Sequence, residues 1–223
     1  MATDTEEYLK TTFDSLLHRL GADPDVRVLW ADAMIQAYSE PQRYYHTKEH
    51  IYAMLQLCQK HASEIRHLNA VQLAIFFHDW VYDPRLKDNE ERSAVVFRQF
   101  ASQIELDMRL QNRVVRYIDA TITHSIVPDE DQADVGDLRL FLDFDLEVLS
   151  RAAPAYAKYA GEIRHEYNHM SWNNYRNGRS LVLTKFLERP QLYFSSSFSG
   201  MEARARENLK REIQGLSEKR LEL

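Results

Sequence analysis

Val71-Gln72-Leu73-Ala74-Ile75-Phe76-Phe77-His78-Asp79-Trp80-Val81-Tyr82 is an apolar run with an ionisable pair inside it. Val71, Ala74, Ile75, His78 and Tyr82 recur at the spacing of a helix face, so the run reads as a buried helix with His78 on its apolar stripe. Asp79 stands about 100° round the same helix, beside Ile75 and Phe76. Burying a charge costs on the order of several kcal/mol unless it is paired or bound to a metal. The pair therefore demands a partner.

Outward from this run, helix punctuation is frequent and strand alternation scarce. A helix from about Asp4 to Leu20 stops at Gly21. Asp23-Pro24 supplies an N-cap with Pro at the first helical position, opening a helix to about Tyr38. Residues 39–46 read as an ordered loop, and Thr47 caps the next helix, to about His61. Asn69 opens the helix that carries His78-Asp79. Asp88 with Glu91 has the pattern of a capping box for a helix to about Ala101. A helix from about Leu106 to Thr123 leads into a polar loop, Pro128 to Gly136. Helices follow at about 137–150, 154–171 and 174–188, stopped by Pro190. Residues 191–198 read as loop, and Ser199 with Glu202 repeats the capping-box pattern ahead of a charged helix to about Leu216. The expectation is an all-α bundle of nine or ten helices in a single domain, 1–223. Its core spans about 24–188, and the helix at about 199–216 packs on it.

Composition narrows the class. The 223 residues are 44% hydrophobic with only six Gly and six Pro, as expected of a globular helical chain. A net charge of −6 argues against a broad face for long nucleic acids but leaves room for a small phosphate pocket. Cys58 is the only cysteine and shares a stripe with Ile51, Met54 and Leu55, so it reads as core in a reducing compartment. The acidic start, Met1-Ala2-Thr3-Asp4-Thr5-Glu6-Glu7, has no apolar segment of a secretory signal, and no run is long enough to span a bilayer. A cytoplasmic protein with no membrane partner is the expectation.

Two further signals accompany His78-Asp79: Tyr45-His46-Thr47-Lys48-Glu49-His50 and Asp143-Phe144-Asp145. His50 shares a face with Met54 and Leu57 and points inward. Asp145 interrupts the stripe Leu138, Leu142, Leu149, whereas Asp143 shares its face with Glu147 and Ser150. Periodicity thus favours Asp145 over Asp143 as a buried ligand. Imidazole and carboxylate groups drawn from several helices suit a divalent ion, and the set His50, His78, Asp79, Asp145 accommodates Mn, Fe, Co, Ni, Mg or Zn. His46 and His124 are candidate catalytic residues near such a centre, and Asp79 is a candidate both to ligate and to orient or deprotonate water.

The chain resembles the HD superfamily of metal-dependent phosphohydrolases, and most closely a bacterial branch of predicted HD phosphohydrolases. The resemblance is carried by residues 45–51, by Phe77 to Pro84, and by Asp88-Asn89-Glu90-Glu91-Arg92-Ser93-Ala94. It extends through Asp143-Phe144-Asp145-Leu146, Arg164-His165-Glu166-Tyr167, Arg189 to Tyr193 and residues 202–209, and covers about 30–215. It implies an HD-type helical domain with His50, His78, Asp79 and Asp145 as metal ligands. Many members carry a glutamate directly after or near the His-Asp pair. Here Trp80 follows, and the nearest acids are Asp83, Glu90 and Glu91.

The expected activity is hydrolysis of a small phosphate ester, with a nucleotide or related metabolite leading. A non-catalytic nucleotide-binding HD module and an HD-type di-iron oxygenase are the alternatives. Candidate cations for the phosphate are Arg43, Arg92, Arg164 and Arg176, with Lys87, Arg179 and Arg189 behind them. Tyr44, Tyr45, Trp80, Tyr82 and Trp172 are candidate stacking surfaces for a base. A homodimer is compatible with all of this.

Overall fold

The apolar run quoted above is the most enclosed helix of the chain. In the structure, a computed structural model describing residues 2–126 and 132–218, it spans Leu68–Phe77. Every residue from Ala70 to Phe77 except Gln72 is buried. A helix apolar on all sides is stable only when neighbours cover all of it. Among the described residues there are ten α-helices and no strand, so the fold is all-α. No helix among them is long and apolar enough to cross a membrane.

The helices are α1 (Ala2–Arg19), α2 (Pro24–Ala37), α3 (Lys48–Lys60), α4 (Leu68–Phe77), α5 (Asn89–Gln103), α6 (Met108–Thr123), α7 (Gln132–Leu146), α8 (Ala153–Glu166), α9 (Trp172–Glu188) and α10 (Glu202–Glu218). Short 3-10 turns occupy Ala62–Glu64, Glu147–Ser150 and Ser196–Met201. The chain falls into two compact units, Met1–Phe141 and Leu142–Leu223.

In the first unit α4 is covered by α1, α3, α5 and α6. From α1, Leu9, Phe13, Leu16 and Leu17 form one fully buried stripe. The Phe13 ring lies 4.5 Å from that of Phe76, and Phe77 stacks on Phe100 at 5.2 Å. Each such buried aromatic contributes about 1.5–3 kcal/mol over exposure, so truncating Phe77 to Ala would cost roughly 3–5 kcal/mol. Gly21 ends α1 in the left-handed region at φ 80, where the N–H of Ala22 returns to the Leu17 carbonyl at 3.0 Å.

In the second unit α10 packs on α9 and on the 3-10 turn Glu147–Ser150. Asn208, buried on α10, donates to the carbonyls of Leu149 (2.9 Å) and Arg151 (2.8 Å). Arg179 of α9 and Glu212 of α10 form a two-pronged ion pair, Nε to Oε1 at 2.7 Å and Nη2 to Oε2 at 3.2 Å. The Tyr156 hydroxyl donates to the same carboxylate at 2.5 Å.

Several local expectations need correction. The polar loop expected over 128–136 is helical from Gln132, and 127–131 lie outside the described residues. The helix expected to carry His78-Asp79 ends at Phe77, which leaves His78 at its C-cap with helical φ and ψ and Asp79 in the turn beyond. The helix expected over 154–171 stops at Glu166. Neither capping box forms. The Asp88 carboxylate accepts from Arg92 instead of a backbone N–H, and the Glu202 carboxylate reaches back to the N–H groups of Leu192 and Tyr193.

Candidate metal centre

His50 enters from the first turn of α3, buried with Ile51, Met54, Leu55 and Cys58. His78 enters from the end of α4. Its Nδ1 lies 3.0 Å from the Ile75 carbonyl, and the proton on that nitrogen leaves Nε2 as the lone-pair donor. The two Nε2 atoms face each other at 3.4 Å. Ligand bonds of about 2.0–2.2 Å set neighbouring donors roughly 3.0–3.5 Å apart, so this separation suits one shared ion.

The third donor comes from α7, where the Phe141 ring meets His78 edge-on at 5.8 Å. One ligand atom each of His50, His78 and Asp145 lie within 4.8 Å of one another, a group that can hold a metal ion. Among the described residues this is the one such group of three. Two neutral imidazoles and a carboxylate satisfy several divalent metals, and the donor set does not select one.

Asp79 faces the same nitrogens, its Oδ2 at 3.0 Å from His78 Nε2 and 3.8 Å from His50 Nε2. Burial pushes its carboxyl up, but the charges of His78, His46 and His50 overcome this and hold it well below the usual carboxylate range. Asp79 therefore stays ionised at neutral pH. Asp143, the other acid of the pair at 143 and 145, is fully buried and has a different task. Its two oxygens accept the N–H groups of Phe194 and Ser195, both at 2.7 Å. Burial raises its carboxyl to about 6 against these hydrogen bonds.

The remaining candidates divide. His46 lies in the loop ahead of α3, its ring 4.3 Å from Tyr82 and 5.9 Å from His50. His124 caps α6 in the left-handed region at φ 45. Glu90, in the first turn of α5, is half-buried. Burial raises its carboxyl, as does the charge of Asp79, while its own backbone hydrogen bond and the charges of His124 and His78 oppose this. Glu90 is thus one of the three acids after the pair that does sense the centre.

Of the arginines expected to bind phosphate, Arg43 is buried and its guanidinium faces backbone carbonyls rather than an open cleft. Arg92 forms an exposed pair with Asp88 at 2.8 Å. Arg164 closes the end of α8, donating to the carbonyls of Tyr167 (2.6 Å) and Met170 (3.2 Å) beneath the Tyr175 ring. Arg176 has a buried Nε with no hydrogen-bond acceptor. Ser93 and Asn89, quoted above only as part of the 88–94 motif and given no role there, both shape the turn after Asp79. Ser93 Oγ accepts the Val81 N–H at 3.0 Å, and Asn89 exchanges two bonds with the backbone of Asp83. No family model, no curated protein and no solved structure matches this chain.

Proposed function

We propose that the protein is a metal-dependent phosphohydrolase acting on a small phosphate ester, with nucleotides the leading class. The observation that carries the reading is the convergence of His50, His78 and Asp145, with the ionised Asp79 against both imidazoles. The phosphate ester follows from the motif resemblance to HD phosphohydrolases. A divalent ion held there would lower the pKa of water toward about 7 and offset charge on a phosphoryl group.

The chain's own residues divide the remaining work. With Nδ1 engaged by Ile75, His78 turns Nε2 toward His50 and Asp79. Asp79 suits ligation and water orientation better than proton abstraction, because a carboxylate held so low is a weak base. Glu90, which burial shifts the other way, is the stronger base of the two carboxylates. Water oxygen would bond to phosphorus as the ester oxygen leaves, with the proton passing to a carboxylate and then to the leaving group.

The test is a panel of phosphate monoesters and nucleotides with the protein loaded in turn with Mn, Co, Ni, Mg, Fe and Zn. In labelled water, solvent oxygen should appear on the phosphorus-bearing product, and His78→Ala should lose both metal and turnover. Turnover that requires oxygen gas would instead indicate oxygenase chemistry. Nucleotide binding with no hydrolysis under any metal would indicate a binding module.

A further inference from the structure

Arg43 has no exposed side-chain surface. Its Nε pairs with Glu40 at 2.9 Å. Nη1 donates to the carbonyls of His46 (3.2 Å) and Asp79 (2.8 Å), and Nη2 to the carbonyl of Trp80 (2.9 Å). The rings of Tyr38 and Tyr82 lie 5.0 and 5.4 Å from the guanidinium carbon. A guanidinium committed in this way cannot take a phosphate without breaking the bonds that hold two segments together. Those segments are the loop bearing His46 and the turn bearing Asp79. The turn lies just past the end of α4, where carbonyls lack helical partners and a cation is favoured by the helix dipole.

We infer that Arg43 is a positioning residue that locks the His46 loop to the His78-Asp79 turn, so that metal affinity depends on a side chain touching neither metal nor substrate. The inference rests on the metal-binding reading above. A planar fork is required, because adjacent carbonyls at 79 and 80 and a third at 46 are addressed from one rigid group. Lysine preserves the charge but offers a single nitrogen.

The experiment titrates Co2+ into the full-length protein and follows its visible absorption, in wild type, Arg43→Lys and Arg43→Ala. Folded Arg43→Lys should bind Co2+ at least about tenfold more weakly, the range found when groups supporting metal ligands are removed. Millimolar methylguanidinium, but not methylammonium, should restore affinity to Arg43→Ala. Wild-type Co2+ affinity in folded Arg43→Lys overturns the inference, as does equal rescue by both amines. If both variants fail to fold, 15N resonances of the wild-type guanidinium decide. They should move on addition of Zn2+ and stay put with inorganic phosphate, and the opposite pattern overturns the inference. Wild type that takes up no Co2+ removes the metal reading and the inference together, whereas Co2+ uptake unchanged by Arg43→Lys removes the inference alone.

Discussion

His50 Nε2 and His78 Nε2 lie 3.4 Å apart across 28 positions of sequence. Two imidazole nitrogens at that distance share either a proton or an ion. The carboxylate of Asp79 beside them and that of Asp145 in the same group favour positive charge at that point, which a proton or a divalent cation can supply.

The two aspartates at the end of α7 should separate cleanly on substitution. Asp145→Asn should lose metal affinity by more than the roughly 10–100-fold typical when a group supporting a ligand is removed. Asp143→Ala should retain its metal but lose about 1–3 kcal/mol of stability, because the N–H groups of Phe194 and Ser195 lose their acceptor. Elemental analysis alongside urea unfolding checks both, and metal loss in Asp143→Ala alone would reverse the assignment.

Asp137 should behave as a residue that anchors the start of α4. Its carboxylate accepts the N–H groups of Arg66 (2.9 Å) and His67 (2.7 Å), just ahead of α4, while itself 2% exposed. Asp137→Ala should cost about 1–3 kcal/mol in chemical unfolding. A midpoint equal to wild type would show that water replaces the carboxylate at no cost.

Arg179 and Glu212 should show strong coupling. Glu212→Ala leaves a buried guanidinium unpaired and should cost about 3–5 kcal/mol, whereas the double variant Arg179→Met/Glu212→Ala should cost less than that single change. Additive losses in a double-mutant cycle would contradict the pairing.

Cys58 is fully buried, and burial raises its thiol to about 12, with the charge of Asp137 adding to the effect. It should resist a thiol reagent at pH 8 in the folded protein and react at once when unfolded. Because the folded thiol ionises later than the unfolded one, stability should fall as pH rises from about 9 toward 12, by up to about 1.4 kcal/mol per pH unit. Cys58→Ala should lack that portion of the alkaline slope in unfolding experiments at stepped pH.

Much of this was legible because helical period and burial are linked. The stripe of Leu138, Leu142 and Leu149 is buried as read and Asp145, which interrupts it, is grouped with His50 and His78, but Asp145 is half-buried whereas Asp143, placed by periodicity on the face of Glu147 and Ser150, is the fully buried acid. Side-chain destinations reached through space were not legible. Asp88 and Glu202 have the spacing of capping boxes, but Arg92 and the backbone at Leu192–Tyr193 compete for their carboxylates. Arg43 looked like a free cation because nothing local shows that Asp79 and Trp80 turn their carbonyls toward it. The start of α7 was misplaced because its opening residues include Gln132, Asp134 and, just past the first turn, Gly136, a composition that reads as loop.

Trp80 directly follows Asp79, stacks on Phe77 at 4.7 Å and meets Trp30 edge-on at 5.5 Å. Two of the chain's three indoles are therefore packed together beside the metal centre. Their excited states lie close enough to mix, which gives the folded protein a built-in optical signature in the near-ultraviolet. A paramagnetic ion entering between His50 and His78 would quench that emission, whereas Mg2+ or Zn2+ would not, so occupancy can be followed without any attached dye.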